Sequence, residues 1–262
     1  MGGQNTMIHL VISGCNGRMG QVVAALCRQE AEIKVVAGID LHPEKHSDFP
    51  VYADPMEYPG PADVVIDFSA PQALDGLLTF CKSRGAGIVL ATTGYSERQQ
   101  ADIEAAAGQI PVFQSANMSL GINVLLELVR SAARVLGGRY DVEVEERHHS
   151  QKVDAPSGTA LMIAEEIRAC LPYEAHYVYD RHAVRQKREP QEIGISSLRG
   201  GTIVGEHTVL FAGRDETIEI KHTALSREIF ATGAVRAAIF LAAHRTPGRY
   251  NMSNLIQEEV TL

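Results

Sequence analysis

The sequence predicts an α/β protein with two domains, one on a doubly wound parallel sheet and one, of α+β type, on an open mixed sheet. Apolar, strand-like runs alternate with helix-like ones from Met7 to about Pro111. Such alternation is typical of parallel strands joined by crossover helices. After a helical segment at 121–136, long runs alternate polar with apolar residues and have few helices between them, which favours a mostly antiparallel or mixed sheet.

The elements follow in order from the hydrophobic pattern. Short runs rich in Val and Ile predict buried strands, and longer amphipathic runs predict helices. In the first domain the predicted strands are 7–13, 33–40, 62–69, 87–93 and 110–116, with helices at 21–29, 73–83 and 97–107. In the second the predicted strands are 141–145, 203–211 and 217–223, and a last helix covers 227–243.

Composition bounds the classes of function. The chain has 262 residues, 45% of them hydrophobic, and a net charge of −8. Binding to nucleic acid through phosphates needs a basic face, so this balance predicts no nucleic-acid partner. The charge does not exclude a small anionic substrate, because a basic pocket can lie within an acidic protein.

The cysteines and the hydropathy indicate the compartment. The four cysteines are far apart and lack metal-ligand spacing, which favours reduced thiols in the cytoplasm and no bound metal. We expect no membrane association, because no apolar stretch approaches the roughly 20 residues that a membrane-spanning helix needs. The start of the chain also lacks the pattern of a secretory signal.

A glycine-rich turn, SGCNGRMGQ, follows the first predicted strand and opens a helix. Its glycines, Gly14, Gly17 and Gly20, would let the backbone approach a pyrophosphate held at the helix N-terminus, as in Rossmann-type domains. Asp40 ends the next strand, where a carboxylate can accept hydrogen bonds from a ribose diol. The simpler interpretation, a tight strand-to-helix turn without a ligand, does not account for Asp40.

The residues after Asp40 favour NADH over NADPH. A 2′-phosphate would be repelled by the carboxylate and would need a guanidinium nearby, yet Leu41 comes next. Lys45 could still contact a phosphate as a point charge. Two further loops, DFSAP at 67–71 and ATTGY at 91–95, follow predicted strands, where open α/β sheets bind their ligands or simply turn.

A second motif, HHSQKVDAPSGT at 148–159, concentrates ionisable groups before a helix. Adjacent residues of a strand face opposite ways, so His148 and His149 would not chelate a metal. An imidazole can deliver a proton near neutral pH, and Lys152 can bind a carboxylate. With the free amides that begin the next helix, these groups predict a site for a carboxylated small molecule that must be protonated. The alternative is a surface loop with a capped helix.

The chain resembles the 4-hydroxy-tetrahydrodipicolinate reductase family, also called dihydrodipicolinate reductase. The resemblance runs in order along nearly the whole chain. It is carried by SGCNGRMG, DFSAP, ATTG, SANMS, HHSQKVDAPSGTA, SLRGG with GEHTVLF, and HTALSREIFATGAVRAA.

The resemblance implies reduction of 4-hydroxy-tetrahydrodipicolinate, or its dehydrated form, to tetrahydrodipicolinate with NADH or NADPH, in diaminopimelate and lysine biosynthesis. It implies a homotetramer, a dinucleotide-binding domain at 1–118 and 229–262, and a substrate-binding and tetramerisation domain at 119–228. It assigns His148 and Lys152 to catalysis, and His149, Gly158 and Thr159 to the substrate, which is a small dicarboxylate. The implied cofactor-binding residues are Gly14, Cys15, Asn16, Gly17, Arg18, Met19, Asp40, Phe68, Ala91, Thr92, Thr93, Ser115, Ala116, Asn117 and Met118.

Within these assignments we take His148 as the proton donor, and Lys152 as a carboxylate ligand and electrostatic stabiliser. Two positions depart from the family. Leu41 lacks the arginine of some members, and Ala91 stands where many have glycine. Two competing hypotheses are a short-chain dehydrogenase, which needs a Tyr-x-x-x-Lys pair that this chain lacks, and a dinucleotide-sensing regulator, which has no need of the HHxxK and PSGT residues.

Overall fold

The computed structural model describes residues 7–44, 48–179, 181–182 and 185–261. The strands are β1 Ile8–Ser13, β2 Ile33–Ile39, β3 Val51–Tyr52, β4 Val64–Asp67, β5 Gly87–Leu90, β6 Pro111–Gln114, β7 Asp141–His148, β8 His176–Val178, β9 Glu192–Arg199, β10 Gly205–Ala212, β11 Thr217–Ala224 and β12 Gly248–Tyr250. The α-helices are α1 Arg18–Cys27, α2 Leu74–Arg84, α3 Glu97–Ala107, α4 Leu120–Leu136, α5 Gly158–Arg168, α6 Glu228–Ala243 and α7 Met252–Thr261.

The described residues form two compact units. The first contains the residues up to Leu120 and from Glu228 onward, and the second runs from Gly121 to Arg227. Within the part of the chain that the structure describes, no helix is long and apolar enough to cross a membrane.

The sheet of the first unit is parallel throughout and has the order β12-β6-β5-β4-β1-β2-β3. The strand order reverses between β1 and β4, and this is the position where doubly wound sheets bind ligands beyond the carboxyl ends of their strands. The buried strands explain why the sequence reads as continuous apolar runs here: all four residues of β4 and of β5 are buried. The predicted parallel fold is therefore confirmed.

Helix α6 completes the core of the first unit although it comes late in the chain. Eight of its residues are buried, and several of these are alanines. They pack in one apolar cluster with residues of β1, β4 and α1. Small side chains let the helix lie close to the sheet.

The second unit contains a mixed sheet of order β11-β10-β7-β9-β8, in agreement with the predicted open mixed sheet. Strand β7 pairs antiparallel with β10 and parallel with β9. The face of this sheet covered by α4 and α5 is apolar, because alternate residues of β7 and β10 pack against both helices.

The sequence did not predict strands β8 and β9, and the basic stretch at 180–192, which lies between them, reads as a linker. Two of its described arginines have structural partners, and Arg181 pairs with Glu192. Arg188 pairs with Asp141 and Glu143 and donates to the carbonyl oxygens of Val142 and Glu192. Arg188 therefore ties β9 to β7, and its positive charge is neutralised by the two carboxylates.

Candidate functional site

The glycine turn between β1 and α1 brings backbone close to backbone in the first unit. Gly14 has a φ of 74°, in the left-handed region, and a Cβ there would lie 2.6 Å from the carbonyl oxygen of Phe68. A Cβ on Gly20 would lie 2.1 Å from the carbonyl oxygen of Gly14. Only glycine fits at either position, so no side chain from these two positions fills the space next to the turn.

That space is a cleft of about 510 Å³ within the first unit. Among the predicted cofactor residues, the cleft brings together Gly14, Gly17, Asp40 and Phe68. Asp40 accepts hydrogen bonds from the backbone amides of Asn16, at 3.0 Å, and His42, at 3.2 Å. These bonds fix the carboxylate at the end of β2, and each oxygen retains capacity to accept from a ribose hydroxyl.

The N-terminus of α1 provides the positive end that a pyrophosphate needs. The helix begins after Gly17 with no side-chain cap and no acidic residue in its first turn. Its first amides therefore remain available to an anion, which the helix dipole also favours. Together with the glycine turn and Asp40, this donor set fits a dinucleotide.

The other predicted cofactor residues differ in where they lie. Cys15 and Met118 are buried in the core, and burial, with the charge of Asp40 as a second cause, raises the pKa of the Cys15 thiol to about 11, so it is an uncharged packing residue. Arg18 is exposed beside the turn, and Met19 packs partly against the core. At the ends of β5 and β6, outside the residues that line the cleft, lie Ala91, Thr92, Thr93, Ser115, Ala116 and Asn117.

Asp67 is a buried residue of the first unit to which the sequence assigned no separate role. Its Oδ1 accepts from the hydroxyl and the backbone amide of Ser69, at 2.5 and 3.1 Å, and its Oδ2 accepts from the Tyr95 hydroxyl at 3.2 Å. Asp67 therefore holds the loop after β4 to the loop after β5. Its signal in the sequence is a charged residue at the end of an otherwise apolar run.

In the second unit, His148 is the last residue of β7 and points to the covered face of the sheet. It is 9% exposed and follows Val142, Val144 and Glu146 at two-residue spacing on the same face. The face is thus apolar along most of the strand and becomes polar at its carboxyl end. His149 follows the end of β7 and is half-buried, with its Nε2 3.3 Å from Arg227 Nη2.

Glu146 and Arg199 join His148 in one hydrogen-bonded cluster that the sequence analysis missed. Glu146 is fully buried, and its Oε2 lies 2.6 Å from His148 Nδ1. Arg199 donates to both carboxylate oxygens of Glu146 at 2.8 Å, and the Ser157 amide donates at 3.0 Å. Burial alone would raise the pKa of Glu146, but hydrogen bonds, led by those from Arg199 and His148, lower it to about 2. The carboxylate is ionised at neutral pH.

The remaining predicted residues of the motif lie at the start of α5 and before it. Ser157 caps this helix by accepting from the Ala160 amide at 3.1 Å, and no acidic residue lies in the first turn. Gly158 is exposed, and a Cβ there would meet nothing within 4 Å, so an anion has room to approach. Lys152 Nζ lies 2.8 Å from Asp154 Oδ1. Thr159 is the second residue of the helix and is half-buried.

His207 packs on the His148 ring from the neighbouring strand β10. The two ring centroids are 5.2 Å apart and the ring planes meet at 75°. The Nε2 of His207 lies 3.1 Å from the Ser157 hydroxyl. Burial, with the charge of His148 as a second cause, lowers the pKa of His207 to about 4, so this imidazole is neutral at neutral pH.

We expect the protein to lose stability as the pH falls from 6.5 to 4, because His207 is held neutral in the fold. An unfolded histidine titrates near 6.5, so the unfolded chain binds the proton first and is stabilised as the pH falls through this range. The loss from His207 is about 3 kcal/mol. Urea unfolding of the wild type and His207→Gln at pH 7, 5.5 and 4 measures it. His207→Gln should lose markedly less stability, whereas His176→Gln, at an exposed position, should follow the wild type. Equal pH dependence in all three proteins would contradict the assignment.

The parallel sheet with its glycine turn and Asp40, together with a separate unit that carries a buried imidazole, define a pyridine-nucleotide-dependent oxidoreductase with Rossmann-type topology. Residues 8–118 match the family model described as dihydrodipicolinate reductase, N-terminus, and residues 121–256 match the one for its C-terminus. The chain belongs to the dihydrodipicolinate reductase family.

Two relatives and one solved structure illustrate the similarity. A protein of Caldanaerobacter subterraneus subsp. tengcongensis named 4-hydroxy-tetrahydrodipicolinate reductase is 52% identical over 252 residues, which cover 96% of this chain and 99% of that protein. One of the same name from Clostridium tetani is 43% identical, covering 95% of this chain and 97% of the relative. The dipicolinate-bound dihydrodipicolinate reductase from Paenisporosarcina sp. TG-14 has the same fold, with a TM-score of 0.76 at 23% identity over 94% of this chain and 98% of that one.

Proposed function

We propose that this protein reduces 4-hydroxy-tetrahydrodipicolinate, or its dehydrated form, to tetrahydrodipicolinate with NADH or NADPH, a step of diaminopimelate and lysine biosynthesis. The observation that carries the proposal is the polar end of the mixed sheet. There the Glu146 carboxylate contacts both His148 and the Ser157 amide, so an imidazole lies next to the N-terminus of α5. This arrangement stands in a chain that shares 52% identity with a protein of that name.

The second unit offers two kinds of group for a dicarboxylate. The amides of Gly158 and Thr159 begin α5, where the helix dipole favours an anion. Lys152 and His149 supply side chains that bind carboxylates, and Lys152 exchanges its contact with Asp154 for the substrate. Two carboxylates held in this way fix the orientation of the ring between them, which positions its reacting bond.

The role of His148 follows from the flow of charge. Reduced nicotinamide, when bound, supplies the hydride. Electron density then develops on the unsaturated ring of the substrate and must be neutralised by a proton. His148 donates this proton, and Lys152 stabilises the negative charge electrostatically. A buried imidazole with only 11% of its side chain exposed is shielded from exchange with bulk water.

The competing function is a regulator that binds a dinucleotide without turnover. Such a protein has no use for a proton donor held by a buried carboxylate. The experiment is to add enzymatically generated substrate to the protein with NADH and to follow the absorbance of the reduced nicotinamide. We expect loss of the absorbance with continuous turnover. Cofactor binding without any oxidation of NADH would overturn the proposal.

We further propose that the protein prefers NADH, because Asp40 follows β2 at the expected ribose position and the next residue, Leu41, has no charge to bind a 2′-phosphate. Leu41 is 87% exposed, so its side chain can be changed without disturbing the core. Leu41→Arg should raise kcat/KM for NADPH relative to NADH about tenfold, or about 1.4 kcal/mol. Leu41→Gln is the matched uncharged control and should leave the ratio unchanged. A wild-type preference for NADPH would contradict this prediction. Lys45, the other predicted phosphate contact, lies outside the described residues.

The proposal includes a homotetramer that assembles through the mixed sheet. Its edge strand β11, Thr217–Ala224, is described throughout and contains no buried residue. An edge strand exposes unpaired backbone groups, which a second copy of the chain can cover.

A further inference from the structure

Glu146 is a buried carboxylate that contacts His148, and its effect on the protonation of that imidazole is a separate question from the proposed function. It has no exposed surface and stands two residues before His148, so both side chains lie on the covered face of β7. Transfer of a carboxylate into a protein interior is costly unless it is paired and hydrogen-bonded. A second apolar residue in place of Glu146 would continue the pattern of Val142 and Val144. The position of the charge next to His148 therefore calls for a chemical explanation.

The partners of Glu146 fix the protonation of His148. Arg199 and the Ser157 amide can only donate hydrogen bonds, and they contact both carboxylate oxygens. A carboxylate in this environment is ionised and accepts hydrogen bonds only. The His148 Nδ1, 2.6 Å from Oε2, must therefore carry a hydrogen. The proton that His148 can give away is then the one on Nε2.

Two neighbouring residues fit this orientation of the His148 ring and leave its Nε2 accessible. His207 packs against the ring in an edge contact, with centroids 5.2 Å apart. Gly205 lies beside Nε2, since a Cβ at that position would be 3.1 Å from the nitrogen. The glycine thus leaves space at the nitrogen that must reach a ligand, while the opposite nitrogen is held by Glu146.

We propose that Glu146, itself fixed by Arg199, is the positioning residue of His148: it holds the imidazole with Nδ1 protonated, so that Nε2 is the atom that protonates the substrate. This inference rests on the proposed function, because that function makes His148 the proton donor. The same arrangement of carboxylate, imidazole and reacting group orients the histidine in other acid–base sites.

The first test compares Glu146→Gln with Glu145→Gln. Glu145 precedes it on the opposite face of β7 and pairs with Arg147, so it is a matched surface control. We expect Glu146→Gln to lower kcat by about 10- to 100-fold with little change in KM. The falling limb of the kcat profile should also move to lower pH, because loss of the carboxylate disfavours the imidazolium.

The pH dependence of kcat depends on the ionisable groups around the His148 ring. Glu146 is on the same strand, Arg199 is on β9, neutral His207 is on β10, and Lys152 follows in the next loop. Only Glu146 is changed in the variant. Glu146→Asp keeps the negative charge and should return the pH limb toward the wild-type position, although the shorter side chain lowers kcat. Glu145→Gln should match the wild type in kcat, KM and pH profile.

The second test is made on the wild-type protein, so it does not depend on whether a variant without Glu146 folds. In ¹⁵N spectra of the wild-type imidazoles, recorded at alkaline pH, we expect the neutral His148 ring to carry hydrogen on Nδ1. The spectrum of His148→Gln assigns the signal among the ten histidines. A neutral ring with hydrogen on Nε2, or an unchanged kcat in Glu146→Gln, would overturn the inference. Failure of the proposed function is distinct: the wild type would then not oxidise NADH at all, whatever the tautomer.

Discussion

Replacing His148 by glutamine is expected to lower kcat by about 10²- to 10⁴-fold, the range that general acids contribute. KM should change little, because the carboxylates of the substrate are bound by other groups. Glutamine fills a similar volume and can still donate a hydrogen bond, but it cannot deliver a proton. Steady-state kinetics with NADH and the lysine-pathway substrate measure both constants.

His149→Gln is the paired control for this prediction. His149 is assigned to substrate binding, so its loss should raise KM while kcat is mostly retained. If His148→Gln raised KM and left kcat unchanged, His148 would be a binding residue and the proton would have to come from elsewhere.

Replacing Arg199 by methionine is expected to destabilise the protein by about 3–5 kcal/mol, because the fully buried Glu146 would lose its counter-charge. The free energy of unfolding in urea measures this loss. Arg147→Met is the matched control: Arg147 pairs with Glu145 and is 42% exposed, so its removal should cost at most about 1 kcal/mol.

A double variant tests whether the loss of stability comes from leaving the buried Glu146 carboxylate without a counter-charge. Glu146→Gln with Arg199→Met removes both charges and should recover part of the stability that Arg199→Met loses. If Arg199→Met were no more destabilising than Arg147→Met, the buried Glu146 carboxylate would not need Arg199 as its counter-charge, and the prediction would be wrong.

The sequence predicted the fold well where one periodicity dominates. The parallel strands of the first unit are mostly apolar, and residues 141–145 alternate acidic residues with valine, so the pattern of burial can be read from the sequence. Strand β9 was missed because it follows a basic stretch, and its pairing with β7 depends on contacts such as that of Arg188 with Val142. A contact of this kind has no local signal.

The candidate site shows the same limit. His148 and the start of α5 lie within one short motif, so their chemistry can be read from neighbouring residues. The partner of Glu146, Arg199, is 53 residues away and is brought close only by the pairing of β7 with β9. Residues two apart on a strand lie on the same face, so the sequence itself could have indicated that Glu146 lies beside His148. Among the predicted cofactor residues, Cys15 and Met118 have side chains buried in the core, and sequence position alone does not determine which way a side chain points.

The late position of α6 has a consequence for biosynthesis of the protein. The buried alanines of Glu228–Ala243 belong to the same core as β1 and β4, which are synthesised more than 150 residues earlier. The amino-terminal unit therefore cannot bury its sheet fully while the ribosome is still translating the middle of the message. The unit from Gly121 to Arg227, by contrast, is one uninterrupted segment and has all its core residues before α6 emerges. Folding during translation should thus finish the middle of the polypeptide before its beginning.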